Sequence, residues 1–113
     1  MRRQIFLLAM AASCAPAAPG PLRLRTERTS VGTRITLLVE PGFKVNARLK
    51  PALELHDGRV VRFDSSHLTP DSAYFTEPPF AEMAGGRGPL HGKLRASVCD
   101  AGETVCRSVE AEI

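Results

Sequence analysis

The chain has 113 residues and three cysteines, and Cys99 and Cys106 are the pair whose types and spacing offer chemistry. Cys99 follows Val98, so in an extended strand it points away from the face carrying Leu94, Ala96 and Val98. Cys106 follows Val105 and points away from the face carrying Val105, Val109, Ala111 and Ile113. If the two strands form a hairpin, both sulfurs emerge on one side, opposite the core. A hairpin base can bring the Cα atoms within the separation a disulfide needs. By the chain-entropy model, closing so short a loop contributes about 2.5 kcal/mol. Two chemistries remain open for the pair. A bond between them in a small exported domain is a staple. An exposed bond beside a polar turn is exchangeable, with Asp100 and Glu103 raising a nearby thiol pKa and Arg95 or Arg107 lowering it.

Other constellations are weaker. His56, His67 and His91 are scattered, with no two at metal-ligand spacing, so no metal site is expected. Residues 86–93 brush against a phosphate loop, but Leu94 stands where Ser or Thr is required. Basic residues number 15 against 12 acidic; without Arg2 and Arg3 the balance falls to 13 against 12. The charges are interspersed, Trp is absent and Tyr74 is the single tyrosine, which argues against a nucleic-acid surface. No apolar run reaches the roughly 20 residues of a spanning helix.

The elements that must position the cysteines read as strands. Leu22, Leu24 and Thr26 alternate with Arg23 and Arg25; Ile35, Leu37 and Val39 form the next apolar set. Val45, Ala47 and Leu49 alternate with polar residues as one half-buried strand. Asp57-Gly58 predicts a two-residue hairpin turn pairing Leu55 with Val60, although Val61 and Phe63 favour the other face. Residues 64–92, with Pro70, Pro78, Pro79 and Pro89, show no period and predict loops, with a short strand near 73–76. Met83 is assigned to packing. About seven strands and no helix predict an all-β, immunoglobulin-like antiparallel β-sandwich over residues 22–113, following an N-terminal signal segment.

The N-terminus reads as an address. Arg2 and Arg3 precede a short apolar core from Ile5 to Ala12, too short to span a bilayer. The exit, Ala11-Ala12-Ser13-Cys14, resembles a bacterial lipobox, in which cleavage before the cysteine frees it for diacylglycerol. This implies a signal peptide at 1–13, lipidation of Cys14, a Pro/Ala-rich tether at 14–21 and a membrane anchor facing the periplasm. Ordinary cleavage and secretion is the alternative. Lipidation of Cys14 would leave Cys99 and Cys106 as an even pair in an oxidising compartment.

Pro41-Gly42-Phe43-Lys44-Val45-Asn46-Ala47, followed by the run from Gly92 through Cys99-Asp100-Ala101-Gly102-Glu103-Thr104-Val105-Cys106, resembles the periplasmic amino-terminal domain of the thiol:disulfide interchange protein DsbD family. The resemblance covers about residues 41–113. Six residues separate the cysteines where that family usually has five, and Arg107-Ser108-Val109 stands where it usually has a Pro pair. The resemblance implies an immunoglobulin-like domain using Cys99 and Cys106 as a redox pair, without a cofactor. It implies thioredoxin-like periplasmic proteins and a membrane electron donor as partners. It also implies an aromatic cap loop over the cysteines, to which Tyr74 and Phe75 are assigned. A lipid-anchored β-sandwich binding module with a structural Cys99–Cys106 disulfide is the alternative function.

Overall fold

The computed structural model describes residues 20–84, 90–102 and 105–113. The signal segment, Cys14 and most of the tether lie outside the described residues, as does Glu103. The strands are β1 (Leu22–Thr29), β2 (Gly32–Val39), β3 (Phe43–Val45), β4 (Ala52–Leu55), β5 (Val60–Arg62), β6 (Phe80–Ala84), β7 (Gly92–Asp100) and β8 (Cys106–Glu112). All pairings between them are antiparallel, and no helix occurs among the described residues.

Two sheets form a sandwich. One runs β1-β2-β6; the other contains β3, β4, β5, β7 and β8. The chain crosses between sheets after β2, after β5 and after β6, and the last two strands pair as a hairpin. This is the order of an immunoglobulin-like sandwich. β3 and β4 lie end to end along the same edge of β7, which has β8 on its other side. Between β3 and β4 the chain leaves the sheet at residues 47–51. Ala47 stays buried, but Leu49 is 63% exposed, so the alternation does not continue as one strand.

The core lies between the sheets, as the period-two pattern requires. Leu22, Ile35 and Leu37 come from the first sheet; Leu53, Leu94, Ala96 and Val98 come from the second. Phe63 is fully buried among them. The alternation does not reveal β6. Ala81 and Met83 face inward there while Phe80 faces out, so the larger apolar side chain sits on the solvent side and masks the period. Among the described residues there are eight strands, against the about seven expected.

The β4–β5 hairpin corrects the expected register. Leu53 pairs with Val61 and Glu54 with Val60, leaving a three-residue connection of His56, Asp57 and Gly58. Gly58 donates its N–H to the Leu55 carbonyl at 2.9 Å and sits at φ 95°, while Leu55 donates to the Arg59 carbonyl. That is a turn followed by a left-handed glycine, the usual three-residue hairpin. The extra residue places Val61 beside Leu53 on the inner face and leaves Val60 exposed. At the start of β3, Pro41-Gly42 makes a turn closed by Phe43 N–H to the Glu40 carbonyl, with Gly42 at φ 95°. Pro second and a positive-φ glycine third is the type II pattern.

Candidate functional site

Cys99 and Cys106 are directly opposed in the β7–β8 ladder and form a disulfide, with Cα atoms 3.9 Å apart. The next pair toward the turn, Asp100 and Val105, is hydrogen-bonded through the Asp100 N–H and the Val105 carbonyl. Antiparallel ladders alternate, so Cys99 and Cys106 occupy a non-hydrogen-bonded position, where facing side chains come closest. Their sulfurs lie on the outer face of the sheet, opposite Leu94, Ala96 and Val98. The two ends of the bond differ in environment. Cys99, on the middle strand, is 0% exposed; Cys106, on the outermost strand, is exposed.

The neighbours on that face follow from the register. Lys44 of β3 is the partner of Cys99, so its side chain shares the outer face with the disulfide. Asn46, two residues on, pairs with Tyr74 in an isolated antiparallel bridge. Tyr74 is therefore on the same face, about two strand spacings from Cys99. The Lys44 ammonium lies 5.3 Å from the Tyr74 ring centroid, in cation–π range. Lys44 thus stands between the aromatic ring and the disulfide. Pattern alone put Lys44 on a polar face, but its pairing with Cys99 is a long-range register that no local signal carries.

Phe75 takes the other direction. It is 9% exposed and belongs to the core cluster, bonded through its N–H to the Val45 carbonyl. Of the two aromatics assigned to a cap, only Tyr74 shares the disulfide's face.

The loop before Tyr74 is built by short-range hydrogen bonds. Thr69 donates its hydroxyl to Asp71 Oδ1 at 2.7 Å, and the same oxygen accepts the Ala73 N–H at 3.1 Å. Thr69 Oγ1 in turn accepts the Tyr74 N–H, and the Thr69 N–H reaches the Tyr74 carbonyl. Ser72 adopts φ 62°, closing the turn with a bond to the Thr69 carbonyl. Arg48 reaches across to the Asp71 carbonyl at 3.0 Å. The Thr69 hydroxyl, then the Ala73 N–H, hold the Asp71 carboxyl below the ordinary carboxylate range.

The charges considered near the cysteines sort by position. Arg107 has the parity of the inner face. Arg95 shares the outer face but lies four residues along β7, tied to Glu110 at 3.0 Å and Glu54 at 3.5 Å. Asp100 accepts the Val105 N–H with its carboxylate, within the turn. Lys44 is the cation that the register sets beside Cys99.

His56 and His91 stack with ring centroids 6.2 Å apart, and His67 lies 3.7 Å from Glu77. Among the described residues, no group of three His, Cys, Asp or Glu side chains is placed to hold a metal ion. Nor is any helix there long and apolar enough to cross a membrane. In comparisons with known proteins, no family model, no curated protein and no solved structure matches this chain.

Proposed function

We propose that this chain is a thiol–disulfide exchange module of the bacterial cell envelope, tethered on the periplasmic face through a lipid on Cys14. The observation that carries the reading is the asymmetry of the disulfide: Cys106 is exposed on an outer strand, and Cys99 is buried beneath the same face. An exchange pair needs one sulfur that a partner can reach and one that waits. In the reduced chain, the Cys106 thiolate attacks a sulfur of the partner's disulfide. A mixed disulfide forms and the partner's other sulfur leaves as a thiolate, which takes a proton. The Cys99 thiolate then attacks Cys106 Sγ, re-forming the internal bond and releasing the partner's second thiol. The partner is reduced by two electrons and this chain is oxidised by two; a membrane-bound dithiol restores it.

Lys44 supports the resolving step, since a cation beside Cys99 favours its thiolate against the cost of burial. Tyr74, held over the Lys44 ammonium, supplies an apolar cover on the same face. The resemblance to the DsbD amino-terminal domain supplies the partner class, thioredoxin-like periplasmic proteins. Trapping tests the assignment. Cys99→Ser should accumulate a mixed disulfide through Cys106 when the reduced chain meets an oxidised thioredoxin-like protein. Cys106→Ser should trap far less. Equal trapping by both variants contradicts the division of roles. For the anchor, mass spectrometry of the membrane fraction should find diacylglycerol on an N-terminal Cys14, and an unmodified mature N-terminus contradicts it.

The full burial of Cys99 favours a second reading, a lipid-anchored binding domain in which the bond is a staple. The reduction potential separates the two.

A further inference from the structure

The outer face of the β1-β2-β6 sheet lies on the side of the sandwich away from the disulfide, and it carries a cleft of about 710 Å³. Its floor is a cross-strand row in which Arg25 of β1, Thr36 of β2 and Phe80 of β6 stand opposite one another. Residues 64–67 and 77–78 form its wall. Thr36 lies between Ile35 and Leu37, which face the core, so its side chain points outward into the cleft. It is nevertheless only 5% exposed, and its hydroxyl has no hydrogen-bond partner among the described residues. A buried hydroxyl left without a partner costs the fold free energy, and a ligand seated on that floor supplies the partner.

The surrounding charges say what kind of ligand fits. Arg34 is tied to Glu82 at 2.6 Å, Asp64 to Lys50 at 3.1 Å, and His67 stands 3.7 Å from Glu77. That leaves one cation, Arg25, and one carboxylate, Glu27, lining the cleft without an ion-pair partner among the described residues. With one free charge of each sign, no net field selects an ion. The backbone is also taken. β2 is paired on both edges, and Asp64 and Phe80 exchange both of their N–H to C=O bonds, so the middle of the floor offers an extended peptide no backbone partner. What remains is side-chain chemistry of both kinds: a guanidinium that donates, a carboxylate that accepts, and hydroxyls on Thr36 and Ser66 that do either.

We propose that this cleft binds a neutral saccharide. Each sugar hydroxyl both donates and accepts, so one ligand meets the guanidinium, the carboxylate and the buried hydroxyl without bringing a charge. Neighbouring ring hydroxyls suit the parallel N–H groups of the Arg25 fork. Glu27, two residues along β1 on the same face, accepts from another hydroxyl, and Thr36 bonds one at the floor. Phe80 is 37% exposed, with the Arg34 guanidinium 4.5 Å from its ring centroid, and gives the C–H face of a sugar an apolar contact. The volume lies within the roughly 300–1,000 Å³ of small-ligand clefts and leaves room for a short oligosaccharide. The site is independent of the exchange reading, because the disulfide belongs to the other sheet.

The probes are the neutral trisaccharides maltotriose, cellotriose, laminaritriose, mannotriose and triacetylchitotriose, titrated singly into the oxidised full chain. Calorimetry reads the affinity, and amide NMR shifts place the ligand. At least one trisaccharide should bind saturably and shift the amides of Arg25, Thr36, Ser66 and Phe80. Raising salt from about 0.01 M to about 1 M shortens the screening length from about 30 Å to about 3 Å and should leave that affinity within twofold. Thr36→Val keeps the shape and removes the hydroxyl. It should weaken binding at least tenfold, with a urea midpoint equal to or above that of the parent. Arg25→Met, on the exposed edge strand, should also weaken binding at least tenfold and serves if Thr36→Val disturbs the fold. The proposal is overturned if no trisaccharide binds, if the shifted amides lie elsewhere, or if both variants bind as the parent does. It is also overturned if inorganic phosphate, glutamate or acetyl-trialanine-amide binds more tightly than every trisaccharide, since the cleft then selects an ion or a peptide.

Discussion

Tyr74 is the single tyrosine of a chain without tryptophan, so its emission reports on one place, the outer face that also carries the disulfide. Its position depends on Asp71, which fastens Thr69 and Ala73 around it. The Asp71 carboxyl has its pKa lowered in the fold, first by the Thr69 hydroxyl and then by the Ala73 N–H. A lowered carboxylate stabilises the folded loop above its unfolded pKa, and that contribution is lost as pH falls through the folded value. The Tyr74 emission should therefore be constant from neutral pH down to about 4 and change below it. Asp71→Ala should show the acid-like emission already at pH 7. A variant whose emission matches the parent across the range would remove Asp71 from this role. Part of this site was legible in the sequence. Cys99 and Cys106 share a face because each follows a core valine, and that parity is local. The separation of Tyr74 from Phe75 is local too in principle, since neighbours on an extended segment point apart. Only the pairing of Asn46 with Tyr74 decides which of them faces the disulfide.

The strands divide by how cleanly their side chains report which face they occupy. Leu94, Ala96 and Val98 are all apolar and all buried, so β7 is plain in the sequence. β6 is obscured because alanine fills an inner position while Phe80 stands outside, where the Arg34 guanidinium lies 4.5 Å from its ring centroid. The end of β3 misleads in the opposite sense, because Leu49 keeps the alternation going after the chain has left the sheet. The β4–β5 hairpin was legible as a turn at Asp57-Gly58 but not in its loop length. The choice between two and three residues is made by packing Val61 with Leu53, a tertiary demand. Gly58 is the residue that permits it, at φ 95° with open space around a Cβ. Since crowding is absent, Gly58→Ala should cost only the backbone conformation, about 1 kcal/mol. Urea unfolding would show it as a lower midpoint at unchanged slope. A gain in stability would contradict the turn described.

For the whole molecule, the question is whether the sandwich needs its disulfide. β7 is held on its other edge by β3 and β4, and the core cluster draws on both sheets without using either sulfur. The reduced chain should therefore fold, as an exchange module must in both redox states. Cys99→Ser with Cys106→Ser should remain a cooperatively folding β protein and lose about 2.5 kcal/mol in chemical denaturation, the loop-closure contribution. An unfolded double variant would mark the bond as a staple that the domain cannot do without.

Whether the Cys99–Cys106 bond is made to be exchanged is read from its reduction potential. The chain would be equilibrated across thiol redox buffers, its free thiols alkylated, and the oxidised fraction counted by mass. An exchangeable bond should show a potential above about −250 mV, in the range of labile and catalytic disulfides. A value below about −300 mV would contradict it and identify a structural bond in a binding domain.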